Sequence, residues 1–164
     1  MVRARTSWLS RVLLILILVG LVVNVGLSYY IQSMKERNFA LIPEELRGNC
    51  FEGAEGGVGC GAVQTSTYST TFGLSNPLYG YFGFPALAIM VLVAFLARAK
   101  RTWWHSHFAQ ATLLGMVLGS TFSIWLLYVQ FVLLKTTCIY CLWVDAIMIA
   151  VTVIFAWLFR KELR

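Results

Sequence analysis

Four long apolar runs decide what this chain can fold into. Between Arg11 and Lys35 no residue is charged; a second run starts near Pro77 and ends at Arg98. A third lies between Arg101 and Lys135, its helix starting near Phe108, and a fourth extends from about Cys138 to Phe159 with Asp145 as its only charge. A bilayer core about 30 Å thick is crossed by roughly 20 apolar residues of helix. Four such runs in 164 residues cannot share one aqueous core. The composition agrees, being 59% hydrophobic and 12% charged, when soluble domains carry about 25% charged residues. The fold class predicted is an all-α integral membrane protein, a four-transmembrane-helix bundle in a single domain over 1–164, with spans at about 12–33, 77–97, 108–134 and 138–159. The first run has a basic start, but its uncharged stretch is too long for a cleaved signal peptide and no A-x-A-like site follows, so it reads as a signal anchor or first span.

The formal charge of +6 reads as membrane topology rather than nucleic-acid binding, because the basic residues flank the apolar runs. With four spans, the two termini and the second loop share one side. They hold Arg3, Arg5, Arg11, Arg98, Lys100, Arg101, Arg160, Lys161 and Arg164, against Lys35, Arg37, Arg47 and Lys135 on the other. This bias places both termini in the cytoplasm. His105 and His107 then face the cytoplasm, and Trp103, Trp104 and Tyr140 fall near interfaces, where amphipathic rings are common. Asn24, inside the first span, is expected to bond another helix.

The loop at about 35–76 is far longer than the other two, and loops beyond about 12–15 residues are usually functional or disordered. It carries Cys50 and Cys60 with Gly53, Gly56, Gly57 and Gly59 between them. Glycines make the segment pliable, which suits either a sulfur that swings between partners or a stapled surface loop. The remaining cysteines, Cys138 and Cys141, form a C-x-x-C where the last span begins. All four lie on the extracytoplasmic side, which permits disulfides. A helix start favours a thiolate, and a disulfide closing so short a loop is redox-active more often than stabilising. Four-cysteine zinc sites show two closely spaced pairs, and here there is one. Leu142 after the second cysteine excludes c-type haem attachment. Two structural disulfides remain the inert alternative.

These residues carry a likeness. The chain resembles the vitamin K epoxide reductase family, in particular its single-domain microbial members. The likeness spans about Leu9 to Phe159 and rests on an ordered set. A loop cysteine pair is followed by C-G-A-V-Q-T-S-T-Y at Cys60 to Tyr68, then Gly73, then S-N-P-L-Y-G at Ser75 to Gly80, then the late C-x-x-C. The bacterial DsbB family does similar chemistry, but its C-x-x-C comes early. The resemblance implies a thiol:quinone oxidoreductase in a prokaryotic cell membrane, supporting disulfide formation. Cys50 and Cys60 would be the shuttle pair that meets a thioredoxin-fold thiol oxidoreductase (DsbA-like or PDI-like). Cys60 would attack Cys138, transiently bonding to it, and Cys141 would face a quinone of ubiquinone, menaquinone or vitamin K type. Ser66 matches the family serine near the cysteines, and Asn76 the asparagine that hydrogen-bonds quinone.

Tyr79, Phe82 and Phe84 are candidate pocket walls, with core packing as the alternative. Asn76 and Ser75 before Pro77 also read as a helix cap. Asp145 stands where the vertebrate enzymes carry a quinone-contacting tyrosine. It shares a helix face with Cys138 and Cys141, and an ionisable residue within a span is a functional candidate by default. A near-interface acid reaching water is its bland alternative. The departure argues against vitamin K epoxide as substrate and leaves quinone reduction as the safer expectation. The rival readings are a reductase whose useful product is the reduced quinone, and a non-catalytic membrane protein with structural disulfides or zinc.

Overall fold

The structure is a computed structural model and describes residues 8–36, 59–100 and 104–160. Four long helices form a bundle: α1 (Trp8–Glu36), α3 (Asn76–Lys100), α4 (His105–Tyr128) and α5 (Ile139–Phe159). The short helix α2 (Cys60–Thr65) precedes α3. All four long helices are long and apolar enough to cross a membrane. α1 packs on α3 and α5, and α4 packs on α3 and α5, so the helices ring one core. Ile17, Leu21, Val91, Met116, Val151 and Phe155 fill it.

The outward faces are apolar too. Val22, Ile89, Leu118 and Val153 are each more than 60% exposed. Contiguous apolar surface on this scale is not sustained in water, but it matches hydrocarbon. The chain is an integral membrane protein. Inside, small polar groups pair across helices as expected where lipid offers no partner. Ser120 and Thr152 hydroxyls meet at 2.8 Å, and Asn24 donates to the Val144 carbonyl of α5 at 3.1 Å. At the end away from the cysteines, Arg98 donates to the Leu158 carbonyl and stacks on Phe159, satisfying one of the orphan carbonyls that end α5.

Two tight connections set the geometry of the other end. Thr70–Thr71 and Leu74–Ser75 pair as a hairpin, β1 and β2, in the register Thr70↔Ser75 and Thr71↔Leu74. Its two-residue loop has Phe72 at φ 50° and Gly73 at φ 81°, the left-handed pair that a I′ turn demands. Between α4 and α5 the chain widens into a π-helical turn over Val129–Leu133 and reverses at Lys135, φ 50°. A π turn rotates side chains out of α register, and here Gln130 reaches the start of α5, as described below.

The stretch Ser75 to Gly80 is a joint rather than a cap. Ser75 Oγ donates to Gln32 Oε1 of α1 at 2.6 Å. Asn76 holds the hairpin, its Nδ2 donating to the Tyr68 carbonyl and its Oδ1 accepting from Thr71 Oγ1, both at 2.8 Å. Gly80 lets α1 and α3 close, since a Cβ there would collide with Ser28 Oγ and lie 2.9 Å from Phe84. Both side chains at the start of α3 thus make tertiary contacts.

Gly80→Val should therefore destabilise the bundle by about 1–3 kcal/mol through overpacking. Gly26→Ala, where a Cβ meets nothing within 4 Å, should change stability little. Thermal unfolding of the two variants in detergent checks the contrast, and equal melting temperatures would contradict the proposed close approach.

Candidate active site

The ends of α1 and α4 and the beginnings of α3 and α5 converge at one end of the bundle, beneath α2 and the hairpin. Cys138 is the N-cap of α5 and fully buried, and Cys141 lies one turn into the helix. Cys60 is the first residue of α2 and 2% exposed. A disulfide joins Cys60 to Cys138, across 78 residues of sequence, with Cα atoms 4.2 Å apart. Cys141 is outside any disulfide. Val63, Tyr140 and Cys141 pack around the bonded pair as a small apolar cluster. Cys50 lies outside the described residues, so of the four cysteines three are brought together here.

Hydrogen bonds hold both strands of this junction. Cys138 N–H donates to Gln130 Oε1 at 3.0 Å, so the π turn supplies an acceptor to one of the orphan donors of α5. Gly59 N–H, just before α2, donates to Thr136 Oγ1 at 3.3 Å. Gln64 Nε2 donates to Cys141 Sγ at 3.7 Å. The two sulfurs of the C-x-x-C thus receive different neighbours: one bonds Cys60, and the other takes an N–H donor.

Below the sulfurs lies a cavity of about 190 Å³. A single water needs roughly 10–15 Å³ on this measure, so the space suits a ring-sized molecule. Its walls are mostly apolar and include Phe84, Leu87, Phe122, Leu126 and Met148. Cys141 and Asp145 open onto it from α5, Gln64 and Ser66 from the α2 side, and Asn76 and Tyr79 from α3. Asp145 is 2% exposed and hydrogen-bonded to Ser123, while its Oδ2 has no partner among the described residues. Gln64 Oε1 is likewise buried without a partner. The carboxyl does not reach water at the interface; it faces the cavity about one turn below Cys141.

Most of the predicted site residues meet here, with one correction. Ser66 lines the cavity and donates to the Val63 carbonyl at 2.8 Å, closing the end of α2. Tyr79 lines it while its hydroxyl donates to the Thr71 carbonyl at 2.8 Å. Asn76 lines the cavity while its side chain braces the hairpin. Phe82 does not take part. It is 69% exposed and packs edge-on against Tyr81 on the outer face of α3. At about 100° per residue it lies roughly 200° around the helix from Gly80, which faces the cavity, whereas Phe84 returns to the cavity side. Gln64, Gln130 and Ser123 were not singled out from sequence. Gln130 and Ser123 are polar residues inside an apolar span, a signal that was available, and Gln64 follows Cys60 by four residues, one helical turn.

A family model, the vitamin K epoxide reductase family, matches residues 11–156. The chain belongs to the vitamin K epoxide reductase family. The match takes in nearly all of α1, the described part of the first loop, α3, α4 and nearly all of α5, and so every residue of the cavity. Membership makes the protein a membrane oxidoreductase of the thiol and quinone type. No curated protein and no solved structure matches it significantly.

The bond from Cys138 N–H to Gln130 predicts its own test. Gln130→Leu leaves a buried donor without an acceptor, at a cost of about 1–3 kcal/mol. The variant should melt lower than the parent and yield less Cys60–Cys138 disulfide on oxidation, measured by peptide mapping after thiol alkylation. Unchanged disulfide yield and melting would show that the π turn does not support the cysteine.

Proposed function

We propose that the protein oxidises the dithiol of a thioredoxin-fold partner and passes the electrons to a quinone, so supporting disulfide bond formation outside the cytoplasm. The observation that carries this is the junction itself: Cys60 bonded to Cys138 while Cys141 retains its thiol above an apolar cavity. Cys60 comes from the loop pair with Cys50, and Cys138 from the C-x-x-C with Cys141. A bond between one member of each pair is what an exchange relay passes through.

The relay is a sequence of thiol–disulfide exchanges, each needing a thiolate, an accessible sulfur and a leaving sulfur. The partner dithiol attacks the Cys50–Cys60 disulfide and departs oxidised, leaving Cys50 and Cys60 as thiols. Cys60 attacks Cys138 of the Cys138–Cys141 disulfide, and Cys141 leaves with the electron pair. Cys50 then attacks Cys60, restoring the shuttle disulfide and leaving Cys138 and Cys141 reduced. Reoxidation of these two releases two electrons and two protons.

A quinone is the substrate that fits the cavity. Its ring is apolar with two carbonyl acceptors, and the site offers apolar walls with a few convergent polar groups. When bound it supplies an acceptor for both electrons and both protons. The chain's part is to present Cys141 to that space, to offer the remaining Asn76 N–H as a donor, and to hold the Asp145 carboxyl where it delivers a proton. Ser123 holds the carboxyl by a hydrogen bond and leaves Oδ2 without a partner among the described residues. Lys and Arg bias supports an extracytoplasmic position for the sulfurs, where the partner's substrates would fold. A quinone acceptor drives the exchange forward, since about 30 mV is worth roughly 1.4 kcal/mol for a two-electron couple.

The test is anaerobic. The reduced protein, freed of reductant, is mixed with ubiquinone or menaquinone, and lost thiols are counted beside quinol absorbance. Quinol should form in step with thiol loss, and Cys141→Ala should abolish both. Folded protein whose thiols stay unchanged with either quinone would overturn the reading. Asp145→Asn keeps the shape but removes the proton, and should lower turnover about 100-fold, the scale of a lost general acid, with Cys60–Cys138 bond formation intact. Turnover equal to the parent would restrict Asp145 to a structural role.

A further inference from the structure

Two contacts join α2 to the start of α5, and they are in register. Cys60 and Gln64 are four residues apart on α2, while Cys138 and Cys141 are three apart at the start of α5. Each pair occupies one face of its helix, about one turn apart. Docking α2 so that Cys60 meets Cys138 therefore brings Gln64 to Cys141, where Nε2 lies 3.7 Å from Sγ. Gln64 is 6% exposed, so water does not compete freely for its amide. Its Oε1 is buried without a partner among the described residues, and the residue lines the cavity.

We propose that Gln64 is a catalytic residue of the relay, donating an N–H to Cys141 as that sulfur leaves Cys138 with the electron pair. This rests on the exchange relay proposed above. In the step concerned, the Cys60 thiolate attacks Cys138 Sγ; the Cys60–Cys138 bond forms, the Cys138–Cys141 bond breaks, and no electrons enter or leave the protein. Negative charge moves from Cys60 to Cys141. A donor already aimed at the receiving sulfur stabilises that charge without reorganising, as preorganised donors do at a developing oxyanion. The donor also rides on the same helix as the attacking cysteine. It is delivered when Cys60 is in place and withdrawn when α2 leaves, so the leaving group is stabilised only while its attacker is present.

The experiment needs neither quinone nor partner. A full-length Cys50→Ala chain holds three cysteines, and the oxidised protein distributes one disulfide between Cys60–Cys138 and Cys138–Cys141. Acid quenching, alkylation and peptide mapping report whether Cys141 or Cys60 carries the label. In Cys50→Ala the Cys141 label should dominate. Adding Gln64→Met, close in shape but without the donor, should move the ratio about 3–10-fold toward the Cys60 label, the worth of one net hydrogen bond. Gln64→Lys restores a donor in a poorer shape and should hold more Cys141 label than Gln64→Met. If Gln64 only packs, the order reverses and Met behaves like Gln; that result overturns the proposal. A Cys50→Ala chain that forms no bond between Cys60 and Cys138 would instead sink the relay, and this inference with it.

Discussion

Sulfur has to reach sulfur at bonding distance for a disulfide to be exchanged, and one end of this bundle is organised around that requirement. Cys60 belongs to a loop and Cys138 to a membrane helix, 78 residues apart in sequence. A permanent bond across that span would stabilise the fold by about 4–5 kcal/mol in the chain-entropy account. The proposed relay could not rely on it, because it would break that bond in every cycle. The contacts that survive its cleavage have to locate α2: Gly59 on Thr136, Gln64 on Cys141, and the small apolar cluster around the sulfurs. Each is modest, as the proposed relay would require of a segment that docks and leaves.

The rest of the end follows from the same requirement. α5 has to begin at Cys138 with its first N–H groups satisfied, and the π turn at the end of α4 answers part of this by turning Gln130 toward Cys138. The hairpin lies beside the cavity and is tied down by Asn76 and Tyr79, so residues that face the cavity also anchor the segment next to it. Ser75 and Gly80 lock that unit to α1. The S-N-x-x-x-G stretch is thus one mechanical joint with three parts: a link to α1, a brace for the hairpin, and a gap that lets two helices touch.

The electrostatics of the site rest on scarcity. Few polar groups face the cavity, and two of them, Asp145 Oδ2 and Gln64 Oε1, have no partner among the described residues. A buried polar atom without a partner is costly, and such atoms gathered around one cavity mark where a ligand's polar groups would go. Asn24 has a similar orphan oxygen, but its amide already bonds the Val144 carbonyl and it lies outside the cavity walls, so the same feature there reads as helix packing.

The amino-acid sequence alone determined the membrane class, because charge-free runs of about 20 residues leave a chain no other stable option. It also determined the family, through the order of Cys60, Ser66, Gly73, Asn76 and the late C-x-x-C. Tertiary structure decided which polar side chains meet. Helical periodicity says that Asp145 shares a face with Cys141, but not whether that face looks at water or at a cavity; packing of α1, α3 and α4 settled this. It also turned Phe82 outward while Phe84 stayed in, since one helix face of α3 is claimed by α1. What Gln64 and Gln130 meet was hidden for a related reason. Their roles depend on a docked loop helix and on a π turn that shifts the side-chain register, so polarity and spacing mark the two residues without saying which groups they reach.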